Sequence, residues 1–277
     1  MTISVVIPAY NEEKYIGDCI ESVLNHAPLN LLEIIVVCNA CTDRTAEVAL
    51  RYPTVRVVEE LRKGTGYARN TGFLQSKGDI IAYIDADSRI HAEWFPMIES
   101  AFAADIGLAS LSGPYRFYDL PDWKNRIVYM WWMTFAVPEY YRSKFAIVGG
   151  NFAARRSALE AVDGFDTSIA FWGDDTNLAR RLRNVGRVKF TMNFYNLSSA
   201  RRLQGEGFLK AGTSYAINYL SQAYFQKTVM TGYGERPWEN DAAPVAVASP
   251  RRMPTFASAK RYVRSHVRPY IRRDMRP

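Results

Sequence analysis

Residues 3–8, ISVVIP, are apolar apart from Ser4, and similar runs return at residues 34–37, at 55–58 with Arg56 as an interruption, and at Ile80–Ile84. Runs this short without polar alternation read as strands buried on both faces. Between them the apolar positions change to a helical period. Residues 12–24 place Tyr15, Ile16, Cys19, Ile20, Val23 and Leu24 on one stripe, with Asn11 as the expected N-cap. Residues 43–52, Thr65–Gln75 and 92–102 read as helices in the same way. Strands alternating with helices predict an α/β fold, a mostly parallel sheet covered on both faces. Such sheets bind ligands outside the carboxyl ends of their strands. The polar clusters Pro8-Ala9-Tyr10-Asn11, residues 39–43 and Asp85-Ala86-Asp87 all follow strands, so they should converge on one rim.

The pattern becomes irregular and aromatic over residues 107–149, with Tyr115, Phe117, Tyr118, Trp123, Tyr129, Trp131 and Trp132. Helices at 158–162 and 176–185 follow, around the turn Gly164-Phe165-Asp166. A helix over 208–225 leads to a Pro- and Ala-rich stretch, 237–254, that reads as a linker. The expected organisation is a main body over residues 1–204, a helical extension over 205–236, and a linker and basic tail over 237–277.

Charge sharpens this division. The net charge is +7, but residues 251–277 alone hold nine Lys or Arg against one acid, Asp274. The body is therefore near neutral, and the basic signal belongs to a terminal arm suited to an anionic partner. Together with the helix before it, such an arm suits peripheral contact with an anionic membrane; the plain alternative is a helix packed on the body and a solvated end. Nucleic acid is not expected, because no binding module accompanies the charge.

With 48% hydrophobic residues the chain can bury a substantial core. No basic segment followed by an apolar run opens it, so a leader is not expected. The longest apolar run, residues 127–137, falls short of the roughly 20 residues of a spanning helix. Three cysteines, an odd count, favour a reducing, cytoplasmic setting. Cys38 and Cys41 form a CxxC, but no second paired spacing supplies the other ligands of a zinc site, and two small side chains at a turn is the preferred reading.

The chemistry gathers around acids. Asp85 and Asp87 stand one residue apart at the end of a buried strand, where like charges raise each other's pKa unless a cation or donors offset them. Either a metal sits between them, or one of Asp87 and Ser88 caps the following helix. A second pair, Asp174 and Asp175, opens the segment NLARRL and reads either as catalytic acids or as helix-start acids facing the macrodipole; both can hold at once.

Six segments, VVIPAYNEE, VVCNACTDRT, KGTGYARNTG, YIDADS, GGNFAARRSALEAVDGFD and WGDDTNLARRL, occur in an order that resembles the family 2 glycosyltransferases, inverting enzymes of the GT-A fold. The similarity runs over about residues 5–203. It implies transfer of a sugar from a nucleotide-diphosphate sugar, with a UDP-sugar as the expected donor, to a hydroxyl of a glycan or lipid-linked acceptor, as in polysaccharide biosynthesis. By that resemblance Asp87 would ligate Mg²⁺ or Mn²⁺ as part of the DxD motif, with Asp85 toward the metal or the ribose. Asp175 would be the general base and Asp174 its neighbour, an Asp where Glu is usual. Pro8, Ala9, Asn11, Asn39 and Arg69 would line the nucleotide. Asn39 stands where an Asp commonly meets a pyrimidine, and Cys38-Asn39-Ala40-Cys41 replaces the usual Asp-Asp-Gly-Ser. Gly149, Gly150 and Asn151, followed by Arg155 and Arg156, match the segment under the transferred sugar. Trp172 would stack on a sugar ring, Arg201 and Arg202 would approach the diphosphate, and Asp43 is either a nucleotide contact or a helix cap.

Other classes fit less well. A dinucleotide-binding oxidoreductase needs a third glycine where Arg69 stands. A nucleotidyltransferase would show a Gly-rich loop after the first strand, where this chain has PAYNEE. A non-catalytic scaffold would have no need of Asp85, Asp87 and Asp175.

Overall fold

A computed structural model describes residues 1–169 and 171–227. The expected linker and basic tail lie outside these residues. The first half alternates as the pattern predicts: β1 (Ile3–Ala9), α1 (Ile16–His26), β2 (Leu31–Asn39), α2 (Thr45–Leu50), β3 (Val55–Glu60), α3 (Thr65–Gln75) and β4 (Ile80–Ile84). Then come β5 (Ser88–Arg89), α4 (Trp94–Ala104), β6 (Leu108–Ser112) and β7 (Tyr115–Phe117). A long helical arm follows, made of α5 (Asp122–Trp131), a π-helical turn (Trp132–Ala136) and α6 (Val137–Ser143). The chain continues through β8 (Asn151–Arg155), α7 (Arg156–Glu160), α8 (Asp174–Leu182), β9 (Arg187–Phe190), β10 (Asn196–Ser198), α9 (Arg201–Glu206) and α10 (Phe208–Leu220), the last running into a second π-helical turn, Ser221–Phe225.

Seven strands form the central sheet in the order β3-β2-β1-β4-β8-β6-β9. The first four are parallel, β8 runs antiparallel to both of its neighbours, and β9 is parallel to β6. Side-chain alternation divides the core cleanly. Val5, Ile7, Ile34, Val36, Ile80 and Ala82 face α1, α2 and α4, where Ile16, Ile20, Ala49, Trp94 and Ile98 cover them. Val6, Ile35, Val37, Ile81 and Tyr83 face the other way, under Ala68 and Phe73 of α3 and Leu178 and Leu182 of α8. A smaller sheet, β5-β10-β7, stands beside the main one.

Two features position the site. Order β2-β1-β4 brings the carboxyl ends at Asn39, Ala9 and Ile84 to one edge. Because β8 is antiparallel, its amino end reaches that same edge, with Asn151 paired to Ile84 and Arg155 to Ile80. Gly149 and Gly150 therefore meet the loop after β4, while Arg155 and Arg156 lie at the opposite edge. There Arg155 Nε donates to Leu108 O (3.2 Å) and Arg156 Nε to Gly78 O (2.8 Å), which removes both from the expected sugar segment.

Asn11 does not cap α1. It takes a left-handed backbone (φ 54°), which Asn tolerates, and its side chain clasps the next loop, accepting from Thr42 N (2.8 Å) and donating to Thr42 Oγ1 (3.1 Å). The helix starts one turn later, at Ile16. In the arm, Pro138 has no N–H for the carbonyl one turn back, and the π-helical turn sits directly before that missing bond.

Candidate active site

The rim is built on carboxylates held by arginines. Arg69, on α3 and buried, donates through Nη1 to Asp174 Oδ2 at 2.6 Å and through Nη2 to Asp85 Oδ1 at 3.4 Å. One guanidinium thus joins the acid after β4 to the acid opening α8. Burial works against the Arg69 charge, and Asp174 and then Asp85 outweigh it and keep it protonated. The other Asp85 oxygen accepts from Tyr115 Oη (2.9 Å), and that hydroxyl accepts from Gly150 N (3.0 Å). A Cβ at Gly150 would collide with the Asp85 carboxylate, so only glycine allows this approach. Asn196 Nδ2, fully buried, donates to Gly150 O at 2.8 Å and fixes the segment from below.

Asp87 sits in a second cluster. Arg201 Nε donates to its Oδ2 (3.1 Å), and the same guanidinium pairs with Glu12 and lies over the Tyr15 ring at 4.6 Å. Burial raises the Asp87 carboxyl to about 6, with Arg201 opposing and Asp85 adding to the rise. Neither Asp87 nor Ser88 is a helix cap: α4 starts only at Trp94, and Ser88 belongs to β5.

Asp175 faces Gly149. Its Oδ2 accepts from Gly149 N (3.1 Å) and its Oδ1 from Thr176 N (2.7 Å). Burial, followed by the charge of Asp174, raises its carboxyl to about 6. The helix-start reading of this pair also stands, because Asp174 is the first residue of α8. The turn into α8 takes left-handed backbone at Trp172 (φ 59°) and Gly173 (φ 90°).

Other expected residues occupy less direct places. Asn39 spends its amide on the chain: Nδ2 donates to Glu60 O (3.1 Å) and Arg62 O (2.7 Å), and Oδ1 accepts from Gly64 N (2.7 Å). Its amide shapes the loop before α3. Asn151 is likewise a fully buried pin, accepting from Trp94 Nε1 and donating to three carbonyls. Pro8 and Ala9 end β1 at the rim, where Ala9 O accepts a weak bond from Cys41 Sγ (3.4 Å). Arg202 lies over the Trp172 ring at 4.2 Å. Asp43 binds Thr45 N (2.9 Å) and Glu13 N (3.0 Å), holding the start of α2. All three cysteines are free thiols.

Tyr115, Glu12 and Asn196 complete the site and were not among the expected residues. Glu12 lies inside PAYNEE, so its motif was visible; Tyr115 and Asn196 are joined to Asp85 and Gly150 only by the fold.

The donor set suits a hard divalent ion in one particular way. Among the described residues no three acidic, histidine or cysteine side chains group closely enough to hold a metal alone. Asp85 and Asp87 both lie after β4, their side chains 34% and 15% exposed, and Asp85 adds to the rise of the Asp87 carboxyl. Ions that keep waters and take substrate phosphate oxygens need no more than this.

An α/β sheet whose rim joins two acid pairs through one arginine has the frame of a GT-A glycosyltransferase. The family description "Glycosyl transferase family 2" matches residues 4–163, and the chain belongs to that family. It is 29% identical over 199 residues to the uncharacterized glycosyltransferase EpsJ of Bacillus subtilis, covering 68% of this chain and 58% of that protein. It is 30% identical over 200 residues to the probable glycosyltransferase YdaM of the same organism, covering 66% of this chain and 47% of that one. The chain thus spans about half the length of these relatives. Among solved structures, mannosyltransferase PcManGT from Pyrobaculum calidifontis, in complex with GDP-Man and Mn²⁺, shares the fold with a TM-score of 0.63 at 18% identity, over 95% of this chain and 70% of that one. Glucosyl-3-phosphoglycerate synthase from Mycobacterium tuberculosis, with Mn²⁺, UDP and glucosyl-3-phosphoglycerate, gives 0.59 at 22%, over 80% of each chain.

Proposed function

We propose that this chain catalyses metal-dependent transfer of a sugar, with inversion, from a nucleotide-diphosphate sugar to a hydroxyl of a glycan or lipid-linked acceptor. UDP is the first nucleotide to test. The observation that carries the reading is the bridge Asp85–Arg69–Asp174, which ties one acid of each pair to the same guanidinium.

Asp87 and Asp85 would hold Mg²⁺ or Mn²⁺, whose charge offsets that of the departing diphosphate. Arg201, already beside Asp87, adds a fixed positive charge near the same phosphates. The rim backbone at Pro8 and Ala9, with Asn11, borders the nucleotide, and Gly149 and Gly150 let the sugar approach the chain closely. Asp175 takes the proton from the acceptor hydroxyl as that oxygen bonds to the anomeric carbon; the bond from that carbon to the diphosphate breaks and its electron pair leaves with the phosphate. Gly149 N–H holds the carboxylate in place. Asp174 keeps Arg69 charged and oriented. The free thiols suit a cytoplasmic setting.

The test separates binding from transfer. Calorimetric titration of UDP with Mn²⁺ should show binding to the parent and to Asp175→Asn, and none to Asp87→Ala. A screen of nucleotide sugars for nucleotide release should show turnover only for the parent, with Asp175→Asn slower by a factor of about 100 or more. Normal turnover by Asp175→Asn would remove the base assignment; metal-independent binding would remove the role of Asp87.

A further inference from the structure

The helical arm leaves the site just after Asp119, which accepts from Ala200 N (2.7 Å), and returns through Phe145 toward Gly149. Its inner face is fastened to β9: the Trp132 ring stacks on Phe190 at 5.7 Å, and Tyr140 packs on the same ring and donates to Val188 O at 3.3 Å. The outer face is apolar and open among the described residues. Trp123, Ile127 and Met130 are four and three residues apart and share one side of α5. Met133, Phe135 and Tyr141 continue the exposed apolar surface, with exposures from 42% at Met133 to 64% at Phe135. No residue of α5 is buried.

Such a surface needs a partner. Its charge says which kind. Lys124, Arg126, Arg142 and Lys144 flank it against Asp122 and Glu139, and the sequence of residues 251–277 is itself basic, with nine cations against one acid. A second copy of the chain, or the chain's own tail, would bring like charge to a basic surface. Anionic headgroups bring the opposite charge, and Trp and Tyr at the two ends of the stripe are the side chains that settle at a bilayer interface.

We propose that the arm docks the protein on an anionic lipid bilayer, with Trp123, Ile127 and Met130 entering the boundary between headgroups and acyl chains. The arm begins and ends at the rim, so docking brings the candidate site to the membrane surface. The inference stands apart from the transferase reading, because its test reads binding and not turnover.

The full chain is sedimented with vesicles of phosphatidylcholine alone and of phosphatidylcholine mixed with phosphatidylglycerol. Binding is expected to the mixed vesicles only, to weaken with salt, and to fall about tenfold or more in Trp123→Ser/Met130→Ser. Brominated lipid should quench tryptophan fluorescence in the parent and do so measurably less in Trp123→Phe, a change that leaves folding intact. The proposal is overturned if the parent does not bind, if it binds neutral vesicles equally, if the double variant binds as the parent does, or if quenching is the same with and without Trp123. A parent dimer that the double variant dissolves would also overturn it and assign the face to a second copy.

Discussion

Asp175, the proposed base, shows how one position could serve reaction and oppose folding. Burial, and then Asp174, raises its carboxyl from 3.8 to about 6, as the proposed general base would require. The same shift has a definite sign for stability. The folded state binds the Asp175 proton more tightly than the unfolded chain, so its contribution is whole below about pH 4 and is lost as the pH rises through about 6. Asp175→Asn keeps an acceptor for Gly149 N–H and removes the titration. In denaturant unfolding this variant should gain roughly 1–2 kcal/mol over the parent at pH 7.5 and little at pH 4. An equal difference at both values would mean that the carboxyl is not shifted.

Among the elements, β8 does the most to bring the rim together. Asn151 at its start accepts from Trp94 Nε1 (2.9 Å) and donates to Gly113 O (3.2 Å), Pro114 O (3.3 Å) and Phe194 O (2.7 Å), tying the strand to α4 and to two loops. Asn151→Ala strands these buried groups together, and thermal or denaturant unfolding should report a loss of about 3 kcal/mol. This strand was also the hardest to foresee. ISVVIP and IIAYI announce themselves because they are almost wholly apolar, as strands covered on both faces tend to be. NFAAR is five residues long, its inner positions are largely alanine, and it ends in arginine, so neither period stands out. The arm escaped for the opposite reason: its apolar residues lie on the outside as well as the inside, which blurs the helical stripe that residues 12–24 display. Motif acids were legible because neighbours in sequence mark them. Tyr115 was not, since its link to Asp85 spans 30 residues and exists only once β7 is placed. Asn39 was legible as a position, but its role in the loop before α3 was not, because the residues that engage its amide lie 21 to 25 residues away.

The whole molecule gathers its rim from residues as far apart as Ala9 and Arg201, so filling the rim should stiffen the entire fold. Ligand at about 100 times its Kd contributes about 2.7 kcal/mol to the folded state. For a domain of this size that corresponds to a rise in Tm of roughly 5–10 °C. Differential scanning calorimetry should find this rise with UDP and Mn²⁺ together and much less with Mn²⁺ alone or with UDP and a chelator. In Asp87→Ala the combined effect should vanish. Equal rises with and without the chelator would place the nucleotide at the rim without a metal.

The arm is stitched to the rest at its two roots and along one flank, while the sheet and its acids need nothing from its far side. That makes the stretch between Leu120 and Phe145 an exchangeable cassette. Replacing it with another of matching span should redirect where the protein works and what it meets there, leaving the underlying reaction centre as it was.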